Sequence, residues 1–307
     1  MTGAPVRVAV LGCGAIGSLY AAHLAHVPDV EVWAVDPFAA HMEAIAEHGL
    51  RVTGNADFVA PVHALTDASG LPPCDFGIVA TKAGHTRAAV EAAREALRDA
   101  AVVSVQNGIG NEDVIAEVVA KVVRGSIVTA GAVPEPGVVR YDAPGDSWFG
   151  PFEPSPASAE EIALLADLLT RGGLRTHAMA DARGPQWTKV VFNAATSPLA
   201  ALTGLPMGPL CTDPALRVQI DALVDEALAV CDAAGITLLK APSESFTEAI
   251  ETAWKHKPSM LQDVLARRTT EVDVLNGGIA DEGRRQGVPT PLHDAMVAVV
   301  HGLESSW

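Results

Sequence analysis

The sequence predicts an α/β protein in two parts, an amino-terminal domain of alternating strands and helices followed by an all-helical domain. Three observations predict it. Short apolar runs alternate with helical patterns through the first half. A Gly-rich turn, Gly12-Cys13-Gly14-Ala15-Ile16-Gly17, follows the first apolar run directly and opens a helix. From about Asp181 onward the alternation vanishes and long helical patterns take over. Strands separated by helices build right-handed βαβ units and a parallel sheet.

Val6 to Leu11 reads as a buried strand and Ala15 to His26 as the helix after it. Val30 to Val35 is a second strand run, followed by a helical stretch near Ala39 to His48. Phe76 to Ala80 and Ala101 to Val105 are two more strands, separated by a helix over Arg87 to Arg98. Gly125 to Val133 and Gly137 to Tyr141 read as late strands joined by the turn Pro134-Glu135-Pro136-Gly137. The second domain reads as helices at Gln186 to Ala195, Pro214 to Ala234, Ser243 to Lys255, Ser259 to Gly277 and His293 to Leu303. Pro and Gly punctuate them. The expected division is 1–180 and 181–307, with a substrate cleft between the domains.

A chain of 307 residues can bury two cores of ordinary size, and 49% hydrophobic with 19% charged residues is a globular composition. There is no run of 18 apolar residues, so no membrane span is expected. Met1 to Arg7 lack the basic and apolar regions of a secretory leader. The four cysteines, Cys13, Cys74, Cys211 and Cys231, form no Cys-x-x-Cys pair. They read as free thiols in a reducing compartment, which points to the cytoplasm. A net charge of −16 argues against a nucleic-acid partner, which needs a basic surface. It leaves room for an anionic small substrate held by a local basic cluster. His23 and His26 sit at i, i+3 on the first helix without a third ligand, so they read as a surface pair and no metal is expected.

Gly-x-Gly-x-x-Gly after a strand and before a helix is the signature of a dinucleotide site. The glycines permit the tight turn, close approach of the pyrophosphate and close helix–strand packing. Gly12, Gly14, Ala15, Ile16 and Gly17 are therefore candidate cofactor-binding residues, with the helix amino terminus facing the phosphates. Asp36 ends the second strand run, 19 positions after Gly17. A carboxylate there accepts from a free ribose 2′-hydroxyl and repels a 2′-phosphate, and Pro37 to His41 offer no Arg or Lys to hold one. NAD is the expected cofactor, with NADP the open alternative if Asp36 merely caps the next helix.

Five ordered blocks then carry a resemblance. They are the turn itself, Ala80-Thr81-Lys82-Ala83, Gln106-Asn107-Gly108, and Trp187-Thr188-Lys189-Val190-Val191-Phe192-Asn193. The fifth runs from Ser259-Met260-Leu261-Gln262-Asp263 through Thr270-Glu271-Val272-Asp273 and Asn276-Gly277 to Gly287-Val288-Pro289-Thr290-Pro291. Together they resemble the ketopantoate reductase (2-dehydropantoate 2-reductase) family across nearly the whole chain. The resemblance implies a Rossmann-type dinucleotide domain followed by a helical domain like the carboxy-terminal one of 6-phosphogluconate dehydrogenase.

By the same resemblance Lys189 is the general acid and Glu271 the acidic residue that orients it and borders the cofactor. Ser259 and Asn193 bind substrate, and Lys82 and Asn107 border cofactor and substrate. Lys189 and Asn193, four residues apart, share one helix face. The apolar neighbours Val190, Val191 and Phe192 are unlike those of a solvated lysine. Glu271 could instead pair with Arg267 or Arg268 on a helix surface. The chain departs from the family at two substrate-pocket slots. Ser197, before Pro198, and His256, between Lys255 and Lys257, each stand where the family carries Asn.

The resulting expectation is an NAD(P)H-dependent 2-oxo acid reductase, or 2-hydroxy acid dehydrogenase, acting on a small acid other than or besides ketopantoate. Branched and aromatic acids such as 2-hydroxyisovalerate or mandelate are the candidates. A strict NADPH-dependent ketopantoate reductase is the alternative, and a non-catalytic dinucleotide sensor the alternative from another class. The apolar carboxy-terminal helices leave a homodimer open.

Overall fold

The computed structural model describes residues 4–307. The reading of Met1 to Arg7 as lacking a leader falls partly on residues 1–3, outside the described residues. One compact unit runs to Gln106 and resumes over Asn111–Ala182; the other is Asn107–Gly110 together with Arg183–Trp307.

The strands are β1 (Val6–Leu11), β2 (Val30–Val35), β3 (Leu50–Gly54), β4 (Phe58–Ala60), β5 (His63–Leu65) and β6 (Phe76–Val79). They continue with β7 (Ala101–Ser104), β8 (Lys121–Ile127), β9 (Ala130–Glu135), β10 (Val138–Ala143), β11 (Ser147–Pro151) and β12 (Thr176–Ala178). The first unit also carries helices α1 (Ala15–Ala25), α2 (Ala39–His48), α3 (Thr86–Ala92), α4 (Asn111–Ala116) and α5 (Ala159–Arg171). The second carries α6 (Arg183–Thr203), α7 (Met207–Thr212), α8 (Pro214–Ala233), α9 (Pro242–Thr252), α10 (Ser259–Leu265), α11 (Val272–Gln286) and α12 (Pro291–Glu304).

The main sheet has the order β12-β11-β8-β7-β6-β1-β2-β5. Its six strands from β8 to β5 are parallel. Renumbered among themselves, β5-β2-β1-β6-β7-β8 is the doubly wound order 3-2-1-4-5-6, whose direction of winding across the sheet reverses between β1 and β6. The strands are buried on both faces. Val8 and Val10 join one apolar cluster with Leu19, Leu24 and Leu165, while Ala9 and Leu11 join another with Val79, Val90 and Ile115. That two-sided burial explains why β1 and β7 are continuous apolar runs rather than alternating ones.

A second sheet, β4-β3-β10-β9, pairs β3 in parallel with the distant β10. The sequence reading of one late strand over Gly125–Val133 is thereby corrected. β8 and β9 belong to different sheets, and the chain leaves one for the other at Val128-Thr129. The short strands β4, β5 and β12, of three residues each, lack enough length to show a period. The expected helix over Arg87–Arg98 ends at Ala92 and passes into hydrogen-bonded turns, such as Leu97 N to Ala93 O at 3.0 Å. His23 is buried, not a surface residue: its Nδ1 lies 2.7 Å from Gly172 O, and its ring meets Phe58 and Tyr141 edge-on. His26 is exposed.

Two departures in the helical unit matter for the site. α6 does not stop at Ala195 but runs through Pro198 to Thr203. The single helix expected over Ser259–Gly277 is two, broken at Ala266–Glu271 where Arg267 adopts φ 49°. Arg268 closes that break by pairing with Asp263 at 3.1 Å, and Thr270 N donates to Glu304 at 2.7 Å. The break makes Glu271 the N-cap residue of α11 instead of a mid-helix side chain. All four cysteines are unpaired and buried. No helix of the described residues is long and apolar enough to cross a membrane. Among the same residues, no group of three His, Cys, Asp or Glu could hold a metal ion.

Candidate active site

The Gly-rich turn lies where β1 gives way to α1, at the switch point of the sheet. Gly12 has φ 91°, and a Cβ there would stand 2.7 Å from Thr81 N at the end of β6. A Cβ on Gly17 would stand 1.8 Å from Gly12 O, so α1 can approach the turn only with glycine there. At Gly14 a Cβ would meet nothing within 4 Å. That open ground lies beside the first turn of α1, which has no side-chain cap and no acidic residue. The N–H groups of the first turn of a helix have no intrahelical partners, so they and the helix dipole fit a pyrophosphate.

The turn is clamped from two sides. Asp36 Oδ2 accepts from Cys13 N at 2.8 Å, and Asp36 Oδ1 accepts from Phe38 N at 2.9 Å. Asp36 thus fixes the Gly-rich turn and the residues that lead into α2, but it does not cap that helix, whose N-cap residue Phe38 has no side-chain cap bond. A carboxylate has about four acceptor sites, which leaves room for a ribose hydroxyl. On the other side, Ser18 Oγ donates to Cys13 O at 2.9 Å and lies 3.1 Å from His41 Nε2. Gly137 N donates to His41 Nδ1 at 2.9 Å, so that nitrogen is the acceptor and Nε2 carries the proton. Burial holds His41 below the usual imidazole range, which keeps it in this neutral form. Neither Ser18 nor His41 stood out in sequence; a polar residue at a buried helix position was the available signal.

Lys82 is exposed, at the turn that follows β6. Its loop is tied to β7 by Gln106, whose Nε2 donates to Thr81 O at 2.9 Å and to Thr86 Oγ1 at 2.7 Å. No local pattern marks Gln106 for this part, although it lies in the block Gln106-Asn107-Gly108.

In the helical unit, α6 presents Lys189, Phe192 and Asn193 on a half-buried face, while Trp187, Val190, Val191 and Ala194 are buried. Burial lowers the Lys189 ammonium to about 8, opposed by the charge of Glu271. Glu271 is itself buried, and its Oε2 accepts from Asn107 Nδ2 at 3.1 Å. Arg268 is committed to Asp263, and the helix-surface pairing once open for Glu271 gives way to this buried contact. The segment Asn107–Gly110 belongs to the helical unit because its backbone is bonded to it. Ile109 N donates to Val274 O at 2.8 Å, and Gln186 Nε2 donates to Gly108 O at 3.2 Å. Gly108, at φ 87°, lies so close that a Cβ would be 2.4 Å from Val274 O.

The structure therefore brings Asn107, Lys189 and Glu271 together, with Asn193 one turn along α6. Ser197 is buried further along the same helix. Ser259 starts α10 and is exposed, as is His256 in the turn before it. The backbone of that turn anchors α7, with Met207 N donating to His256 O at 2.9 Å.

A doubly wound sheet that opens on such a turn, joined in one chain to a helical unit, is the build of a dinucleotide-dependent oxidoreductase. The family model "Ketopantoate reductase PanE/ApbA" matches residues 8–154, and its C-terminal counterpart matches residues 181–304. The chain belongs to the ketopantoate reductase family of NAD(P)-dependent oxidoreductases, which act on a CH–OH group. It is 31% identical to the 2-dehydropantoate 2-reductase of Pyrococcus abyssi over 98% of both chains, and 32% identical to that of Pyrococcus horikoshii over the same shares. Among solved structures, a PanE/ApbA family ketopantoate reductase from Ralstonia eutropha superposes with a TM-score of 0.88 at 28% identity, covering 98% of this chain and 99% of that one. D-mandelate dehydrogenase with NADH and anilino(oxo)acetate superposes with a TM-score of 0.86 at 26% identity, over the same shares.

Proposed function

We propose that this enzyme uses NADH to reduce the keto group of a small 2-oxo acid other than or besides ketopantoate, or runs the reverse oxidation. The observation that carries the chemistry is Lys189, whose ammonium is brought by burial to about 8 and raised in turn by the charge of the buried Glu271 carboxylate. The bound dinucleotide supplies or takes up the hydride. Lys189 donates a proton to the carbonyl oxygen as negative charge builds there, and its own charge stabilises that oxygen. Glu271 keeps enough of the lysine protonated and is itself steadied by Asn107. Asn193 lies one turn from Lys189 and serves the substrate, as do Asn107, Ser197, His256 and Ser259. Gly12, Gly14, Ala15, Ile16, Gly17, Asp36 and Lys82 hold the cofactor, and Glu271 borders it. Residues 1–180, apart from Asn107–Gly110, serve as the dinucleotide domain and residues 181–307 with Asn107–Gly110 as the substrate domain of a cytoplasmic enzyme, with a homodimer left open.

Asp36 supports NADH over NADPH, since its carboxylate at the strand end repels a 2′-phosphate. Ser197 and His256 support a substrate other than ketopantoate, since each replaces a family amide. The likeness to D-mandelate dehydrogenase bound to NADH favours an aromatic or branched acid. The second reading, an NADPH-dependent ketopantoate reductase, draws on the names of the Pyrococcus relatives. Steady-state kinetics with both cofactors against phenylglyoxylate, 2-oxoisovalerate and ketopantoate decide between them. Preference for NADPH with ketopantoate would establish the second reading, and binding without turnover of any 2-oxo acid would point to a sensor.

A further inference from the structure

α6 carries Lys189 and runs through a proline, and that proline creates a specific defect. Pro198 has no N–H, so the carbonyl four residues earlier, Ala194 O, loses its intrahelical donor. Asn276 of α11 supplies the replacement: its Nδ2 donates to Ala194 O at 2.9 Å. Asn276 is fully buried, so the contact is shielded from water.

The orientation of this amide is fixed by its other neighbour. Asn276 Nδ2 also lies 3.1 Å from Nδ1 of the fully buried His293, whose Nε2 is 3.0 Å from Leu223 O. Leu223 O can only accept, so His293 Nε2 carries the proton and Nδ1 is an acceptor. Both amide hydrogens of Asn276 then have acceptors, whereas a flipped amide would set its oxygen against two of them. Asn276 Oδ1 has no hydrogen-bond partner among the described residues. An open buried acceptor carries a desolvation cost, and the orientation persists because the two donated bonds outweigh it.

The position of the contact gives it a consequence. α11 begins with Glu271 as N-cap, and Asn276 lies five residues further on. α6 carries Lys189 five residues before Ala194. The two helices thus meet twice: at the charged pair, and at an amide–carbonyl bond little more than one turn away on each. We propose that Asn276 is a positioning residue, whose bond to the carbonyl left open by Pro198 braces α11 against α6 and sets the spacing between Glu271 and Lys189. The role rests on the reading of Lys189 as the general acid, but the brace itself can be tested without turnover.

The test uses the full chain, free of cofactor, and follows the side-chain NMR resonances of Lys189, assigned by comparison with Lys189→Arg. In Asn276→Leu the Glu271 carboxylate is no longer held against Lys189, and the ammonium pKa is expected to fall by about half a unit or more. Pro198→Ala returns an N–H to position 198, which restores a helical donor to Ala194 O. The double variant Pro198→Ala/Asn276→Leu is therefore expected to titrate as Pro198→Ala alone does. An unchanged Lys189 titration in folded Asn276→Leu overturns the proposal, as does a double variant that titrates differently from Pro198→Ala alone. If Asn276→Leu does not fold, the comparison of the double variant with Pro198→Ala decides: equal titration supports the brace and a difference overturns it. Loss of the catalytic reading would appear separately, as a Lys189→Ala enzyme that still turns over.

Discussion

Asn107 donates its side-chain amide to Glu271 at 3.1 Å, joining two residues 164 positions apart in sequence. Asn107 follows β7, a strand of the dinucleotide unit, yet it belongs with the helical unit, in which this bond lies. One side chain thereby holds the carboxylate that acts on Lys189. Replacement of Asn107 by Ala is expected to lower kcat about tenfold, since a hydrogen bond to a charged group contributes roughly 1.5–3 kcal/mol and part of it is recovered by water. Steady-state kinetics check this, and an unaltered kcat would remove Asn107 from the catalytic arrangement.

Lys189→Ala is expected to reduce turnover by about two to four orders of magnitude, the usual contribution of a placed general acid. The far-ultraviolet circular dichroism of the variant should match that of the wild type. Turnover within a few-fold of wild type would exclude Lys189 from that role.

The lowered Lys189 value sets the pH dependence. Reduction needs the ammonium as proton donor, so kcat for the 2-oxo acid should be level at neutral pH and fall as pH rises through about 8. Oxidation needs the free amine and should rise through the same value. Glu271→Gln removes the charge that opposes burial, which should move both limbs to lower pH by roughly one unit. A limb that stays in place would mean that Glu271 does not act through Lys189.

Asp36→Asn keeps an acceptor for one of its two backbone partners and removes the charge. The ratio of kcat/KM for NADH over NADPH is expected to fall by roughly tenfold or more, because the 2′-phosphate no longer faces a carboxylate. An unchanged ratio would assign Asp36 to holding the Gly-rich turn alone.

Gly14→Ala and Gly17→Ala should behave oppositely. A methyl at position 14 meets no protein atom within 4 Å, so the melting temperature should move by no more than about 2 °C while KM for NADH rises. A methyl at position 17 would stand 1.8 Å from Gly12 O, and that variant should lose several kcal/mol of stability or fail to fold. Equal thermal stability of the two would contradict the packing described for the turn.

Local patterns made much of the first unit legible. The apolar runs of β1, β2, β6 and β7 mark buried parallel strands because both of their faces are covered. The Gly12–Gly17 turn is local as well, since its glycines answer to backbone geometry within a few residues. The four-residue spacing of Lys189 and Asn193 is likewise a property of one helix. Less legible were the elements whose existence depends on a distant partner. β3 has no reason to be a strand until β10 arrives beside it, and the helix over Ser259–Gly277 breaks where Arg268 meets Asp263 and Thr270 meets Glu304. His23 looked like a surface residue because nothing nearby in sequence announces that Gly172 and Phe58 will cover it.

The sequence by itself determined the doubly wound dinucleotide unit, its phosphate turn and the helix face bearing Lys189, because periodicity and glycine placement act over a few residues. Tertiary structure alone decided that Glu271 stands at the N-cap position of α11, that Asn107 holds it, and that Asn276 answers the carbonyl which Pro198 leaves open. Each of these is a polar group whose partner lies far along the chain, and burial makes the pairing obligatory without any local pattern to foretell it.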